Sequence, residues 1–375
     1  MLYTHPMAKV GIDTQTILGQ KTGFGYYVDN LVTSLKKVGT KHSYIPLAPQ
    51  NEKDFSTPQR FYWDQVSIPR LASKNTIDIL HQPAFSVPIF YAHPVVATIH
   101  DLIAIQFGED ISFWSRQYFG RFMPLTYRFA DHIIAISEYT KKDIIDVLHI
   151  PNDKISVIYS ALDHKVQKPQ DTKTVNTILH RFGIRTPFLL YVGTINPRKN
   201  LVFLTQVFAR VLAREPNLQL VIAGKKGWYY DRLMAEITRL SLHKKVIITD
   251  YITDEEKNVL YGSATIFTFP SVYEGFGFPV LEALACGIPV IASDKSSIPE
   301  IQGDAGISID PTDEDLWVKE ICRLLHDTHL QKKYAASGVK QATKFSWDTT
   351  AKRTIEVYDH VLKRYHDKEK SKDRL

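Results

Sequence analysis

Short runs rich in β-branched and aromatic residues alternate with segments of helical period through most of the chain, and this alternation leaves few folds open. Such runs read as strands buried on both faces of parallel sheets, with helices as the covering layers. The first run is Lys9–Asp13. A Gly-containing loop, Thr22-Gly23-Phe24-Gly25, precedes a helical face carrying Val28, Leu31, Val32 and Leu35 at i, i+3, i+4, i+7. Further strands are expected at Ile77–Leu80, Val95–Ile99, His132–Ile136 and Ile155–Tyr159. Ala161–Thr174 is polar, with Gln167, Lys168, Pro169, Gln170 and Asp171, and reads as the approach to a linker. A second series follows: Phe188–Val192, Leu218–Ala223, Val246–Thr249, Thr265–Phe269, Pro289–Ala292 and Gly306–Ile309. Helices are expected at about Leu201–Leu212, Glu255–Tyr261, Asp313–Leu325 and Trp347–Tyr365. The chain of 375 residues suits two domains. The expectation is an α/β protein of two Rossmann-like, doubly wound domains, 1–170 and 171–346. Residues 347–375 would supply a helix packing back on the first domain and a frayed, charged tail from His366. Two such domains place a cleft between them, and open α/β sheets bind ligands outside the carboxyl ends of their strands.

Composition narrows the class. Hydrophobic residues make up 44% and charged residues 23%, as in an ordinary globular protein. A net charge of +6 suits an anionic ligand or an anionic membrane surface and falls short of nucleic-acid binding. The two cysteines, Cys286 and Cys322, have no metal-ligand spacing and read as buried, reduced thiols. Met1–Val10 lacks the apolar core of a secretory leader, and no run of about 18 apolar residues exists. A cytoplasmic protein is the expectation.

The most informative segment is Ser271–Gly287. Gly275 and Gly277 permit a tight turn and close approach of backbone N–H groups around Phe276. Pro279 suits the first helical position and Gly287 the residue past the helix end. A loop thus feeds a short helix whose N-terminus favours an anion such as phosphate. Glu274 lies in the loop and Glu282 in the expected first helical turn. Carboxylates beside a phosphate site suit sugar hydroxyls, since each accepts hydrogen bonds from a vicinal diol; a capping Glu282 and a solvated Glu274 are the plain alternative.

Tyr191–Asn200 leaves the first strand of the second domain through Gly193 and Thr194. It carries Arg198 and Lys199, which could neutralise a diphosphate or form a solvated surface turn. His100-Asp101 follows the Val95–Ile99 strand and projects into the expected crevice. Gly23 and Gly25 sit at the corresponding end of the first strand but form no G-x-G-x-x-G fingerprint.

Glu274 and Glu282, separated by seven residues, resemble the E-x7-E signature of glycosyltransferase family 4, retaining enzymes of GT-B fold. The resemblance extends through the Thr22–Tyr27 loop, His100-Asp101, Ser137-Glu138-Tyr139-Thr140 and Gly193–Lys199. It implies that Glu274 and the amides of Gly275, Phe276 and Gly277 hold donor-sugar hydroxyls, and that Glu282 binds the nucleoside ribose. It further implies that Lys199 contacts the donor phosphates, that His100 lies beside the reacting centre, and that Gly23 and Gly25 close on diphosphate and acceptor. Thr194 departs from the arginine common in the family, a charge that Arg198 would supply. Ser160-Ala161 stands where the family often has Asn-Gly.

The implied reaction is metal-independent hexosyl transfer with retention, without a cofactor, from a GDP- or UDP-linked sugar to a glycan or lipid-linked acceptor. GDP-mannose is the first choice, because the Glu274–Glu282 segment resembles that of the family's mannosyltransferases. Asp313-Glu314-Asp315 formally matches a metal-binding Asp-x-Asp but opens an amphipathic helix, where acids are expected. Phe113–Met123 is aromatic and basic and suits either an interfacial helix on the inner membrane face or ordinary packing. Rival readings are a nucleotide-sugar epimerase of the same architecture, a nicotinamide oxidoreductase and a non-catalytic sugar-binding protein.

Overall fold

The computed structural model describes residues 7–18, 23–39, 41–50, 54–107, 113–162, 166, 168 and 171–372. The chain forms two compact units, Met1–Ala161 with Phe345–Leu375, and Leu162–Lys344.

The first unit is built on six parallel strands in the order β2-β1-β3-β4-β5-β6. These are β1 (Lys9–Asp13), β2 (Ser43–Leu47), β3 (Ile79–Gln82), β4 (Val95–Ile99), β5 (His132–Ala135) and β6 (Ile155–Val157). Every residue of β3, β4 and β5 is buried, as helices on both faces require. Leu80, Val95, Ala97, Ile99 and Ile133 join Ile68, Ile77 and Ile144 in one core. Strand β2 has no clear sequence signal. It contains Pro46, which an edge strand tolerates, and only Leu47 is fully buried.

Gly23 and Gly25 do not lie in a loop. They open the helix Gly23–Val38, whose buried face is Tyr27, Val28, Leu31, Val32 and Leu35. Thr22 lies outside the described residues, as do Gln167, Pro169 and Gln170 of the expected linker. The last helix, Trp347–Lys372, packs along Gly23–Val38 in the same unit. It continues past His366, where the sequence suggests fraying. Tyr358 anchors it: the ring is fully buried and the hydroxyl lies 2.6 Å from His81 Nδ1.

The second unit has a sheet in the order β12-β11-β10-β7-β8-β9, all parallel. Its strands are β7 (Phe188–Val192), β8 (Gln219–Ala223), β9 (Val246–Asp250), β10 (Ile266–Phe269), β11 (Val290–Ser293) and β12 (Ile307–Ile309). The order reverses between β7 and β10, as in dinucleotide-binding sheets. The helix Leu201–Leu212 buries Phe203, Leu204, Val207, Phe208 and Val211, and Phe203 meets Trp317 edge-on at 5.9 Å.

The polar stretch before β7 is not all linker. Asp171 caps a helix, Thr172–Arg181, by accepting from the amides of Lys173 and Thr174. Asp313 similarly caps Glu314–His326, accepting from the Leu316 amide at 3.0 Å, and Arg210 pairs with both Glu314 and Asp315. Of the two thiols, Cys286 is buried and Cys322 only half-buried. Position 322 lies off the face formed by Trp317, Val318, Ile321 and Leu324. Among the described residues no helix is long and apolar enough to cross a membrane.

Candidate active site

In the second unit the strands flanking the reversal deliver two loops side by side. The loop after β7 begins at Gly193 (φ +150°), where a Cβ would lie 2.7 Å from the Tyr191 hydroxyl. It ends in a turn, Pro197–Lys199, and at Asn200 (φ +56°), which opens Leu201–Leu212. Thr194 is exposed. The loop after β10 runs to Gly277 (φ +104°), the N-cap of the helix Phe278–Ala285. Pro279 occupies the second helical position and Glu282 the second turn rather than the first. The loops are stitched together where the Val272 amide donates to the Arg198 carbonyl at 2.8 Å.

Glu274, Arg198 and Lys199 meet in one buried cluster. Lys199 Nζ pairs with Glu274 Oε1 and sits 5.1 Å above the Phe269 ring. Arg198 Nη1 reaches Glu274 Oε2 at 2.9 Å and donates to the Tyr273 carbonyl at 2.7 Å. Ser271 Oγ donates to Glu274 Oε1 at 2.6 Å. Burial alone would raise the Glu274 pKa, but Lys199 and then Arg198 outweigh it and bring the carboxyl down to about 2. The loop backbone is also fixed: the Glu274 amide donates to Ser296 Oγ (2.9 Å), and Ser297 Oγ donates to the Glu274 carbonyl (2.9 Å). Glu274 is therefore no solvated loop residue. Two cations thus face one carboxylate, and Gly275, Phe276 and Gly277, which follow it, are all buried.

Glu282 belongs to a separate group. Its carboxylate accepts from Lys257 Nζ at 2.8 Å and from the Tyr261 hydroxyl at 2.8 Å. Sequence reasoning misses Lys257, which lies on an ordinary amphipathic helix, Asp254–Ser263. It also misses the loop after β8. A Cβ on Gly224 (φ +144°) would come 2.3 Å from the Gly193 carbonyl oxygen, and one on Gly227 would come 2.1 Å from that of Ile195. The spacing Gly224-Lys225-Lys226-Gly227 at a strand end is the signal that could have found it.

In the first unit His100 follows β4 and is only 9% exposed. Its Nε2–H donates to the Pro83 carbonyl at 2.8 Å, which leaves Nδ1 as the acceptor. Its ring meets Phe24 and Tyr27 edge-on at 4.7 and 4.6 Å. Burial brings its pKa down to about 4, partly opposed by the Pro83 carbonyl, so the ring is neutral at pH 7. The Asp101 carboxylate accepts from the Ile103 amide at 3.1 Å. Ser137 caps Glu138–Leu148, and Thr140 Oγ1 donates to the His100 carbonyl at 3.2 Å. Gly23 has open space where a Cβ would stand, while Gly25 is buried in the same helical turn.

Two family models match this chain: glycosyltransferase family 4 over residues 23–166 and glycosyl transferases group 1 over residues 180–341. The O-antigen chain mannosyltransferase B of Escherichia coli is 31% identical over 285 residues, covering 75% of this chain and 74% of that protein. The chain belongs to glycosyltransferase family 4. This glycosyltransferase also matches the serotype-specific mannosyltransferase WbdA of E. coli, at 29% identity over 289 residues, 75% of this chain and 34% of that longer protein. The crystal structure of HepE from Anabaena in complex with UDP-glucose superposes with a TM-score of 0.71 at 17% identity, covering 94% of this chain and 100% of that one. The two parallel sheets of the glycosyltransferase are those of the GT-B fold.

Proposed function

We propose that this glycosyltransferase moves a mannosyl group from GDP-mannose to a glycan or lipid-linked acceptor, with retention and without a metal ion, in the synthesis of a surface polysaccharide. The mannosyl assignment is supported by the names of the O-antigen and WbdA relatives. A nucleotide-sugar donor is supported by the UDP-glucose in the HepE crystal structure.

The observation that carries the reading is the Arg198–Lys199–Glu274 cluster at the reversal of the second sheet. As the anomeric C–O bond breaks, negative charge grows on the diphosphate. Fixed cations stabilise it where it develops, without reorganisation. Lys199 and Arg198 take this role, with Gly193 and Thr194 admitting the phosphates. Glu274, ionised at neutral pH, receives sugar hydroxyls, and the amides of Gly275, Phe276 and Gly277 hold the donor. Glu282, oriented by Lys257 and Tyr261, accepts the ribose hydroxyls. His100 serves as a neutral acceptor. With the leaving oxygen taking the acceptor proton on the same face, the protein need supply no nucleophile. Asp313 as a helix cap and Asp315 paired to Arg210 support a structural role for the acidic triplet. Phe113 and Trp114, 67% and 72% exposed beside Arg116, support a peripheral contact with the inner face of the cytoplasmic membrane; liposome flotation tests it.

The deciding experiment incubates the protein with GDP-mannose, UDP-glucose and dTDP-sugars plus an α-mannoside acceptor, with and without EDTA. Chelator-insensitive release of GDP together with an α-linked product supports the proposal. Turnover of another donor only, or loss of activity in EDTA, overturns it.

A further inference from the structure

We propose that a pocket in the first unit binds one neutral pyranose ring of the acceptor, stacked on Phe85 and Phe119; this rests on the transferase reading above. The first sheet reverses its order between β1 and β3, and an open sheet takes ligands at the carboxyl ends beside such a point. The chain leaving β1 supplies Gln15 and Thr16, and the chain leaving β3 supplies Phe85. With Thr57, Arg60 and Phe119 they line a pocket of about 220 Å³. This is smaller than the roughly 300–1,000 Å³ of drug-sized sites and suits a single ring.

The charge of this pocket selects its occupant. Arg60 is buried, its guanidinium 4.1 Å from the Phe85 ring centre and 5.3 Å from that of Phe55. It donates to Asp13 (3.4 Å), to Asp64 (3.1 Å) and to the Gln15 side-chain oxygen. Two carboxylates surround this one cation, and Asp54 adds a third on the pocket wall. With the Arg60 donors taken up by Asp13, Asp64 and Gln15, a phosphate or carboxylate would find no available cation among the lining residues, whereas a neutral sugar needs none.

The remaining groups suit a pyranose. Phe85 holds a left-handed backbone (φ +64°), an uncommon conformation for a bulky residue, and its ring lies 6.0 Å from that of Phe119. Aromatic rings take the C–H face of a sugar while polar side chains take its hydroxyls. Thr16 Oγ1 is buried beside the pocket without a hydrogen-bond partner among the described residues, and a sugar hydroxyl would satisfy it.

The test measures binding of methyl α-D-mannopyranoside and its 6-phosphate to the full chain by saturation-transfer NMR, in wild type, Phe119→Leu and Thr16→Val. The neutral glycoside should bind, the phosphate ester more weakly, and Phe119→Leu should weaken the glycoside by about fivefold or more. With GDP-mannose as donor, the same variant should raise the KM for the glycoside acceptor more than that for the donor. Tighter binding of the phosphate ester, or unchanged glycoside affinity in both variants, overturns the subsite. Thr16→Val removes the hydroxyl at nearly constant shape, so it carries the test if Phe119→Leu does not fold. Failure to turn over any nucleotide sugar would sink the transferase assignment alone, because the binding arm needs no donor.

Discussion

Lys199 and Glu274 form a buried ion pair between residues 75 positions apart, one following β7 and the other following β10, two adjacent parallel strands. The pair joins the two loops that flank the strand-order reversal. It holds a cation in place before any ligand arrives.

Removing one partner should therefore cost both stability and rate. Glu274→Ala leaves Lys199 buried without its carboxylate, and breaking such a pair costs about 3–5 kcal/mol. Urea unfolding should show that loss for Glu274→Ala, and a smaller one for Arg198→Ala, whose side chain is 19% exposed. Lys199→Ala should lower kcat by about 100-fold or more, as for lost transition-state charge stabilisation. A variant with near-normal turnover would remove Lys199 from the diphosphate role.

Acid should unfold the protein partly through the same pair. Glu274 titrates near 2 in the folded state against an ordinary 4.5, so its stabilisation is complete above 4.5 and is lost as pH falls towards 2. Asp64 has the opposite sign. Burial raises its pKa to about 6, opposed by Arg60, so its contribution is greatest below the ordinary 3.8 and is lost as pH rises through 6. Measured from pH 2 to 8, the unfolding free energies of Glu274→Gln and Asp64→Asn should both approach wild type at the acid end of their windows. With rising pH, Glu274→Gln should fall behind wild type between 2 and 4.5, whereas Asp64→Asn should gain on it between 3.8 and 6.

His100 should stay neutral across the working range. Its ring-proton NMR shift, assigned with His100→Gln, should be flat from pH 8 to 5.5 and move only near pH 4. A midpoint near 6.5 would contradict the buried, carbonyl-bound ring.

Glycines should divide by location. Gly224→Ala combines φ +144° with a 2.3 Å clash against the Gly193 carbonyl, and should destabilise by about 1–3 kcal/mol or more while weakening donor binding. Gly23→Ala enters open space on a helix and should be neutral or stabilising by about 0.5–1 kcal/mol. Thermal unfolding and donor titration distinguish the two.

Much of this was written locally. Strands β4 and β7 and the helix Leu201–Leu212 begin and end where residue pattern places them, because a segment's periodicity reports which of its faces is buried. The spacing of Glu274 and Glu282 likewise marks the family. What periodicity cannot carry is the identity of the neighbour. Pairing β7 with β10 rather than β9, turning Glu274 onto Arg198 and Lys199, tying Glu282 to Lys257 and pressing Gly224 against Gly193 are contacts between distant segments. Gly23 and Gly25 show the converse: read as a loop from composition, they become helix where Tyr27 and Val28 behind them are buried against the sheet. Helix and strand propensity are weak beside such burial, so tertiary packing decides which residues share a site.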